Sequence, residues 1–171
     1  IVLDTCLNSK IFHHIFLSTN EKKCIKEVKN KQITVNLRPK KLTNKSSSVV
    51  DVCMYLIKKY DLKRQDIFCV IYPTAILLKK KTLKLSLRNF FKNNCNVLMG
   101  ASTFNYNPLM AIRYDKKKSF FFPLNKQVGK YKTSEKFYFS NGTFYWARVS
   151  SFLKEKTFYS KKLDIYKLPN S

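Results

Sequence analysis

The sequence predicts an α/β domain built on a mainly parallel sheet, and three observations carry that reading. Apolar runs of strand length alternate with segments of helical periodicity through the first hundred residues, which is the pattern of successive βα units. The run at residues 66–72 (DIFCVIY) is continuous and apolar, as a central strand covered on both faces would be. The chain has 171 residues, 44% of them hydrophobic and 15% aromatic, with only 3 Gly and 5 Pro. That length buries one core rather than two, and that composition excludes a disordered or collagen-like chain. Residues 1–171 therefore read as a single domain.

The elements follow in order. Residues 11–18 (IFHHIFLS) read as a buried strand, ended by Ser18, Thr19 and Asn20, which can cap a following helix. Residues 21–30 place Cys24, Ile25 and Val28 at the spacing of a short surface helix, and residues 33–36 form a second short strand. Pro39 disfavours helix at Arg38 and opens a polar loop. Ser46, Ser47 and Ser48 then precede an amphipathic helix with Val50, Cys53, Met54 and Ile57 on one face. The strand at 66–72 stops at Pro73 and Thr74. Residues 82–93 form a helix with Leu83, Leu87, Phe90 and Phe91 inward, and residues 96–103 another strand. Residues 104–139 are aromatic and basic with little helical periodicity, and a hairpin is expected around Asp115, Lys116 and Lys117. This segment reads as an arm rather than another βα unit. Asn141 and Gly142 lead into a strand at 143–149, a short helix from Ser150 and a last strand at 163–168.

The net charge of +24 invites a nucleic-acid reading. The excess is almost all Lys, since the only arginines are Arg38, Arg64, Arg88, Arg113 and Arg148. Phosphate and base readout favours the planar Arg fork. Lys is instead scattered along every segment among Asn, Ile, Phe and Tyr, residues that share A/T-rich codons, so base composition is the simpler cause. A basic nucleic-acid-binding domain stays as the alternative from another class, and it predicts affinity that falls steeply with salt. The five cysteines are odd in number, lack a C-x-x-C and lie mostly in apolar runs. That favours thiols in a reducing cytoplasm over a disulfide framework or zinc ribbon. The longest apolar stretch, 67–78, is broken by Pro73 and too short to span a bilayer, so no membrane partner is expected.

In such a domain ligands sit at the carboxyl ends of the strands. The loops there, 18–20, 37–48 and 72–75, concentrate hydroxyls with one Arg. A serine run at a helix N-terminus offers N–H groups to phosphate, although helix capping is the commoner use of such serines. His13 and His14 lie in a strand away from any carboxylate cluster and carry no catalytic assignment. Lys116–118 read as a solvated turn.

Together these loops resemble the acylneuraminate cytidylyltransferases, the CMP-sugar synthetases. The resemblance rests on Leu37-Arg38-Pro39-x-x-Leu42, the polar stretch to Asp51-Val52, Tyr72-Pro73-Thr74-Ala75, and Asn141-Gly142-Thr143-Phe144-Tyr145-Trp146, in that order. Tyr before Pro-Thr, with F-Y-W in the later strand, resembles the branch that activates pseudaminic acid. The resemblance implies a three-layer, Rossmann-like nucleotidyltransferase fold in which 104–139 pairs two subunits of a homodimer. It further implies transfer of CMP from CTP to a nine-carbon 2-keto sugar acid in the cytoplasm, with Mg²⁺ on the leaving phosphates. Arg38, Ser46, Ser47 and Ser48 would lie at the nucleotide; Tyr72, Thr74, Asn141 and Tyr145 would face the sugar. Phe158 and Tyr159 would pack its acyl group, and Lys132 would meet its carboxylate. Each residue also has a plainer reading: a loop salt bridge for Arg38, core packing for Tyr72, Tyr145, Phe158 and Tyr159.

The family's A-R-G-G-S-K nucleotide loop and its V-x-D-I-D-T aspartate segment, where the Mg²⁺ ligands are expected, are not found in these 171 residues. The expectation is therefore of an internal fragment, with catalytic residues unassigned, weak CTP binding and no turnover. Metal-dependent pyrophosphate release by the chain alone would overturn it. Lys45, Val49 and Asn20 depart from the family's usual residues, and the R-x-Q-D segment survives only as 132–135. A catalytically inactive paralogue of the same fold is thus a further alternative.

Overall fold

The computed structural model describes residues 1–28, 30–44, 46–115, 117, 120–123 and 136–169, with the backbone alone at 115 and 120–123. Helix α1 (Val2–Ser9) is followed by strand β1 (Ile15–Thr19), helix α2 (Lys22–Glu27) and strand β2 (Ile33–Leu37). A single 3-10 turn at Lys40–Leu42 leads to α3 (Val49–Lys59), β3 (Ile67–Ile71), α4 (Lys80–Lys92) and β4 (Val97–Thr103). Strands β5 (Ile112–Asp115) and β6 (Phe120–Pro123) pair antiparallel, Asp115 opposite Phe120, so the expected hairpin forms. The chain closes with β7 (Tyr138–Arg148), α5 (Val149–Glu155) and β8 (Leu163–Lys167).

Two expectations need correction. The main sheet has the order β3-β7-β4-β8. Only β4 and β8 pair parallel, while β7 runs antiparallel to both β3 and β4. The sheet is therefore mixed rather than mainly parallel: β3, β4 and β8 share one direction, and β7 is laid between β3 and β4 against it. The apolar run at 66–72 is also an edge strand among the described residues, not a central one. Helices on both faces give an edge strand the same uninterrupted apolar sequence that a central strand carries. Strands β1 and β2 form a separate parallel pair, with Ser18 opposite Asn36 and Thr19 opposite Leu37.

The four-stranded sheet is the middle of three layers. On one face Val97, Met99, Ala147 and Leu163 meet Cys53 and Ile57 of α3 and Phe152 of α5. On the other, Leu98, Phe144 and Trp146 meet Leu83 and Phe90 of α4, and α1 packs on α4 in turn. Alternation along β7 sends Tyr145 and Ala147 to the first face and Phe144 and Trp146 to the second. Trp146 is fully sequestered: its ring stacks on Phe12 at 5.5 Å, and its Nε1–H donates to the Ser86 hydroxyl at 2.9 Å. Helix α4 begins at Lys80, two residues before the expected start, because Leu83, Ser86 and Phe90 already form its buried stripe. Residues 11 and 12 belong to this packing rather than to β1, which begins only at Ile15. Helix α2 ends at Glu27, with Val28 already extended.

Candidate functional site: a donor cluster at β1–β2 and an aromatic cluster at β7

Parallel in-register pairing puts Ser18 and Asn36 on one face of the β1–β2 ladder, and Arg38, two residues on, continues that face. The Arg38 amide donates to the Thr19 carbonyl at 2.8 Å, which fixes the backbone where it leaves the strand. Its guanidinium reaches the Ser18 carbonyl only through Nη2 at 3.5 Å, and the buried Nε has no partner. Asn36 is 1% exposed, and its Oδ1 accepts from Lys59 Nζ at 2.6 Å. An ammonium can only donate, so this contact fixes the amide orientation and leaves Nδ2 as a donor without an acceptor. The Ser18 hydroxyl is likewise buried and unpartnered. Two cations and three buried polar groups without partners thus converge at the carboxyl end of a parallel strand pair. Buried donors left unpaired cost about 1–3 kcal/mol each, and a ligand that accepts hydrogen bonds would recover that cost.

The serine loop is more committed to local structure. Ser48 caps α3 in a closed box: its hydroxyl accepts from the Asp51 amide at 3.1 Å, and its own amide donates to the Asp51 carboxylate at 2.8 Å. The Ser48 hydroxyl, which also donates to the Asp51 carboxylate at 2.7 Å, and then the Ser48 amide hold the Asp51 carboxyl below its ordinary value. Ser46 and Ser47 both donate to Asn44 Oδ1 at 2.8 Å, and Ser47 also reaches the Lys41 carbonyl. All three hydroxyls are occupied within the loop. Ser46 and Ser48 are exposed and able to exchange those partners, while Ser47 is half-buried.

The second cluster centres on a bulge in β7. Met99 pairs with Tyr145 and Ala101 with Ser140, so four residues of β7 stand opposite Gly100 alone. A bulge of this kind re-aims side chains. It turns Asn141 inward, where Nδ2 donates to Ser102 Oγ at 3.0 Å and Oδ1 accepts from the Thr143 hydroxyl at 2.8 Å. Gly142 at φ +71° makes the turn, and a Cβ there would stand 3.3 Å from the Tyr72 ring. Tyr72 meets Tyr145 edge-to-face at 5.9 Å. Tyr145 packs on Phe158 at 4.8 Å, and its hydroxyl lies 2.5 Å from Ser140 Oγ. Burial first, then the neighbouring Tyr145, Cys53 and Tyr159, raises the Tyr72 phenol above its ordinary value. Tyr72 therefore stays a neutral donor at physiological pH. A cavity of about 370 Å³ opens beside this cluster, floored by Met99, Ala101 and Ile165 and rimmed by Ser140, Phe139 and Tyr159. Its apolar lining suits a hydrocarbon substituent, with Ser140 as the polar anchor.

The sequence candidates are thus separated by the fold. Tyr72, Asn141, Tyr145, Phe158 and Tyr159 share one neighbourhood, whereas Arg38 meets Ser18 and Thr19 and the serine loop bonds Lys41, Asn44 and Asp51. Thr74 sits exposed in the turn after Tyr72, and Lys132 lies outside the described residues. Phe158 and Tyr159 part company: Phe158 is 7% exposed in the core, whereas Tyr159 is 71% exposed at the cavity rim. Asn36, Lys59, Ser102 and Ser140 escaped the sequence reading, whereas Ser18 lies in a strand-end loop that it singled out. Ser140 adjoins Asn141 in sequence, but the pairing of Asn36 with a residue 23 positions away has no local signal. No group of three His, Cys, Asp or Glu among the described residues could hold a metal ion, and the Arg38 cluster consists of donors and cations. These residues do not fit Mg²⁺.

A profile of the cytidylyltransferase family matches residues 1–170. The chain belongs to that family. Pseudaminic acid cytidylyltransferases of two Campylobacter jejuni strains, serotypes O:2 and O:23/36, are each 25% identical over 174 residues, 99% of this chain and 75% of the relative. A Helicobacter pylori protein named pseudaminic acid cytidylyltransferase and UDP-2,4-diacetamido-2,4,6-trideoxy-beta-L-altropyranose hydrolase is 32% identical over 108 residues. That match covers 62% of this chain and about a fifth of the relative, 21% of its length. The three-layer α/β architecture agrees with the nucleotidyltransferase fold that the sequence resemblance implied.

Proposed function

We propose that this cytidylyltransferase chain serves transfer of CMP from CTP to a nonulosonic acid of the pseudaminic type. The names of its relatives support that choice of sugar. The sugar's anomeric oxygen attacks the α-phosphorus, the bond to the β-phosphate breaks, pyrophosphate leaves, and the hydroxyl proton passes to solvent. The observation that carries the nucleotide half is the donor cluster: Arg38 and Lys59 bring two positive charges, and Asn36 Nδ2 waits on an acceptor. Those are the groups a polyphosphate or a pyrimidine carbonyl needs, and they gain strength where water is excluded. Ser46, Ser47 and Ser48 would complete the nucleotide side. Tyr72, Asn141 and Tyr145 would orient the sugar, and the cavity at Tyr159 would take an acyl or methyl substituent. Mg²⁺ enters this proposal only through the family resemblance.

We also propose a homodimer formed through the 104–139 arm, where Met110, Ile112 and Tyr106 are exposed. No described helix is long and apolar enough to cross a membrane; the need for CTP and the five free cysteines favour the cytoplasm. Calorimetric titration tests the nucleotide assignment: CTP should bind at least about tenfold more tightly than ATP, GTP or UTP, a margin of roughly 1.4 kcal/mol. Equal affinity for all four, falling steeply with salt, would point instead to a general polyanion surface.

A further inference from the structure

The exposed face of α4 and the turn before it have their own chemistry. Lys80, Lys84, Arg88 and Lys92 recur every four residues along α4 and are all exposed, directly opposite the buried stripe of Leu83, Ser86 and Phe90. Like charges at that spacing repel, and neutralising acids are scarce: no Asp or Glu occurs from residue 67 to residue 114. The nearby carboxylates are engaged elsewhere, Asp164 with Asn93 and Asp4 with the Ile1 amino group. The stripe, roughly 18 Å long, is bracketed by apolar side chains that face water. Ile76 and Leu77, just before the helix, are 59% and 74% exposed, and Phe91 at its other end is 55% exposed.

We propose that this face of α4 docks on the surface of an anionic lipid bilayer, with Ile76 and Leu77 inserted at the headgroup boundary and the basic stripe over the lipid phosphates. Both parts are needed for the assignment. Charge alone would suit a nucleic acid equally, but a duplex offers nothing in which to bury two adjacent aliphatic side chains, whereas a bilayer does. A second copy of this chain is disfavoured because its stripe carries the same sign. The sequence expectation of no membrane partner rested on the lack of a spanning segment, which does not bear on surface attachment.

Co-sedimentation with phosphatidylcholine vesicles, with and without phosphatidylglycerol, tests the proposal at physiological salt. The wild type should partition onto the anionic vesicles only. I76S/L77S and K84Q/R88Q/K92Q should each lose about tenfold or more, near the effect expected for removing two or three interfacial contacts. K22Q/K23Q/K26Q on α2, with the same change of charge, should lose less than about threefold. Urea unfolding of each variant verifies that it is folded. Equal losses in the two charge variants, or wild-type partitioning by I76S/L77S, would overturn the proposal as mere adhesion of a +24 chain. Duplex DNA binding that tracks the α4 charges while I76S/L77S has no effect on vesicles would assign the stripe to nucleic acid and overturn it as well.

Discussion

The four-stranded sheet and the β1–β2 pair are built by opposite rules. In the larger sheet every deep polar group is answered: Trp146 Nε1 finds Ser86, Asn141 finds Ser102 and Thr143, and Arg148 Nε finds the Cys95 carbonyl. At the carboxyl end of β1–β2, Ser18, Asn36 and Arg38 each leave a buried polar atom without a partner. The first region is optimised for stability. The second carries a cost that makes sense where a ligand supplies the missing acceptors. Substitutions in the two regions should therefore separate stability from nucleotide binding.

The largest effect is expected in the satisfied region. Trp146→Ala removes a fully buried ring and the indole donor to Ser86, whose hydroxyl keeps its bond to the Leu83 carbonyl, and should cost about 3–5 kcal/mol in urea unfolding. Alkaline pH probes the packing on the opposite face of the sheet through Cys53, whose thiol burial pushes up to about 12 from 9.0. With the folded value raised, the unfolded chain gives up this proton first, so the contribution is complete below about pH 9 and declines above it. Wild type should lose stability relative to Cys53→Val by at most about 1.4 kcal/mol per pH unit in that window. Equal pH profiles would contradict the burial assigned to α3.

Smaller effects fall at the junctions between sheet and site. Gly142→Ala places a Cβ at positive φ and 3.3 Å from Tyr72, which should cost about 1–2 kcal/mol and widen the Tyr72–Tyr145 contact. Tyrosine fluorescence and thermal unfolding would read both. Ser48→Ala breaks the capping box of α3 and should cost about 1 kcal/mol. If Ser48 also meets the nucleotide, CTP affinity falls by more than that stability loss predicts. If it only caps, affinity stays unchanged.

Much of this contrast was legible in the sequence, but unevenly. The inward face of α4 at Leu83, Leu87 and Phe90 and the Ser48 cap follow from spacing and residue type, because both are local effects, but Phe91, expected inward, turns to solvent beside the basic stripe. The antiparallel course of β7 is not legible, since an alternating strand has the same pattern in either direction. The edge position of β3 was hidden by helices on both faces, which erase the polar alternation that usually marks an edge. Phe158 and Tyr159 look alike as neighbours in the chain, yet the backbone turns one into the core and the other to solvent. The donor cluster was half visible: Arg38 stood out in its loop, while Asn36 and Lys59 meet only through tertiary packing.

Arg38→Gln offers the most direct test of the central claim, with CTP titration and urea unfolding performed on the same preparation. Separation of the two regions predicts that CTP affinity falls at least about tenfold, as loss of a charged donor would require, while unfolding free energy stays within about 0.5 kcal/mol of wild type. Unchanged CTP affinity, or a stability loss approaching that of Trp146→Ala, would make Arg38 a structural residue and contradict the claim that the open donors of β1–β2 form the nucleotide site.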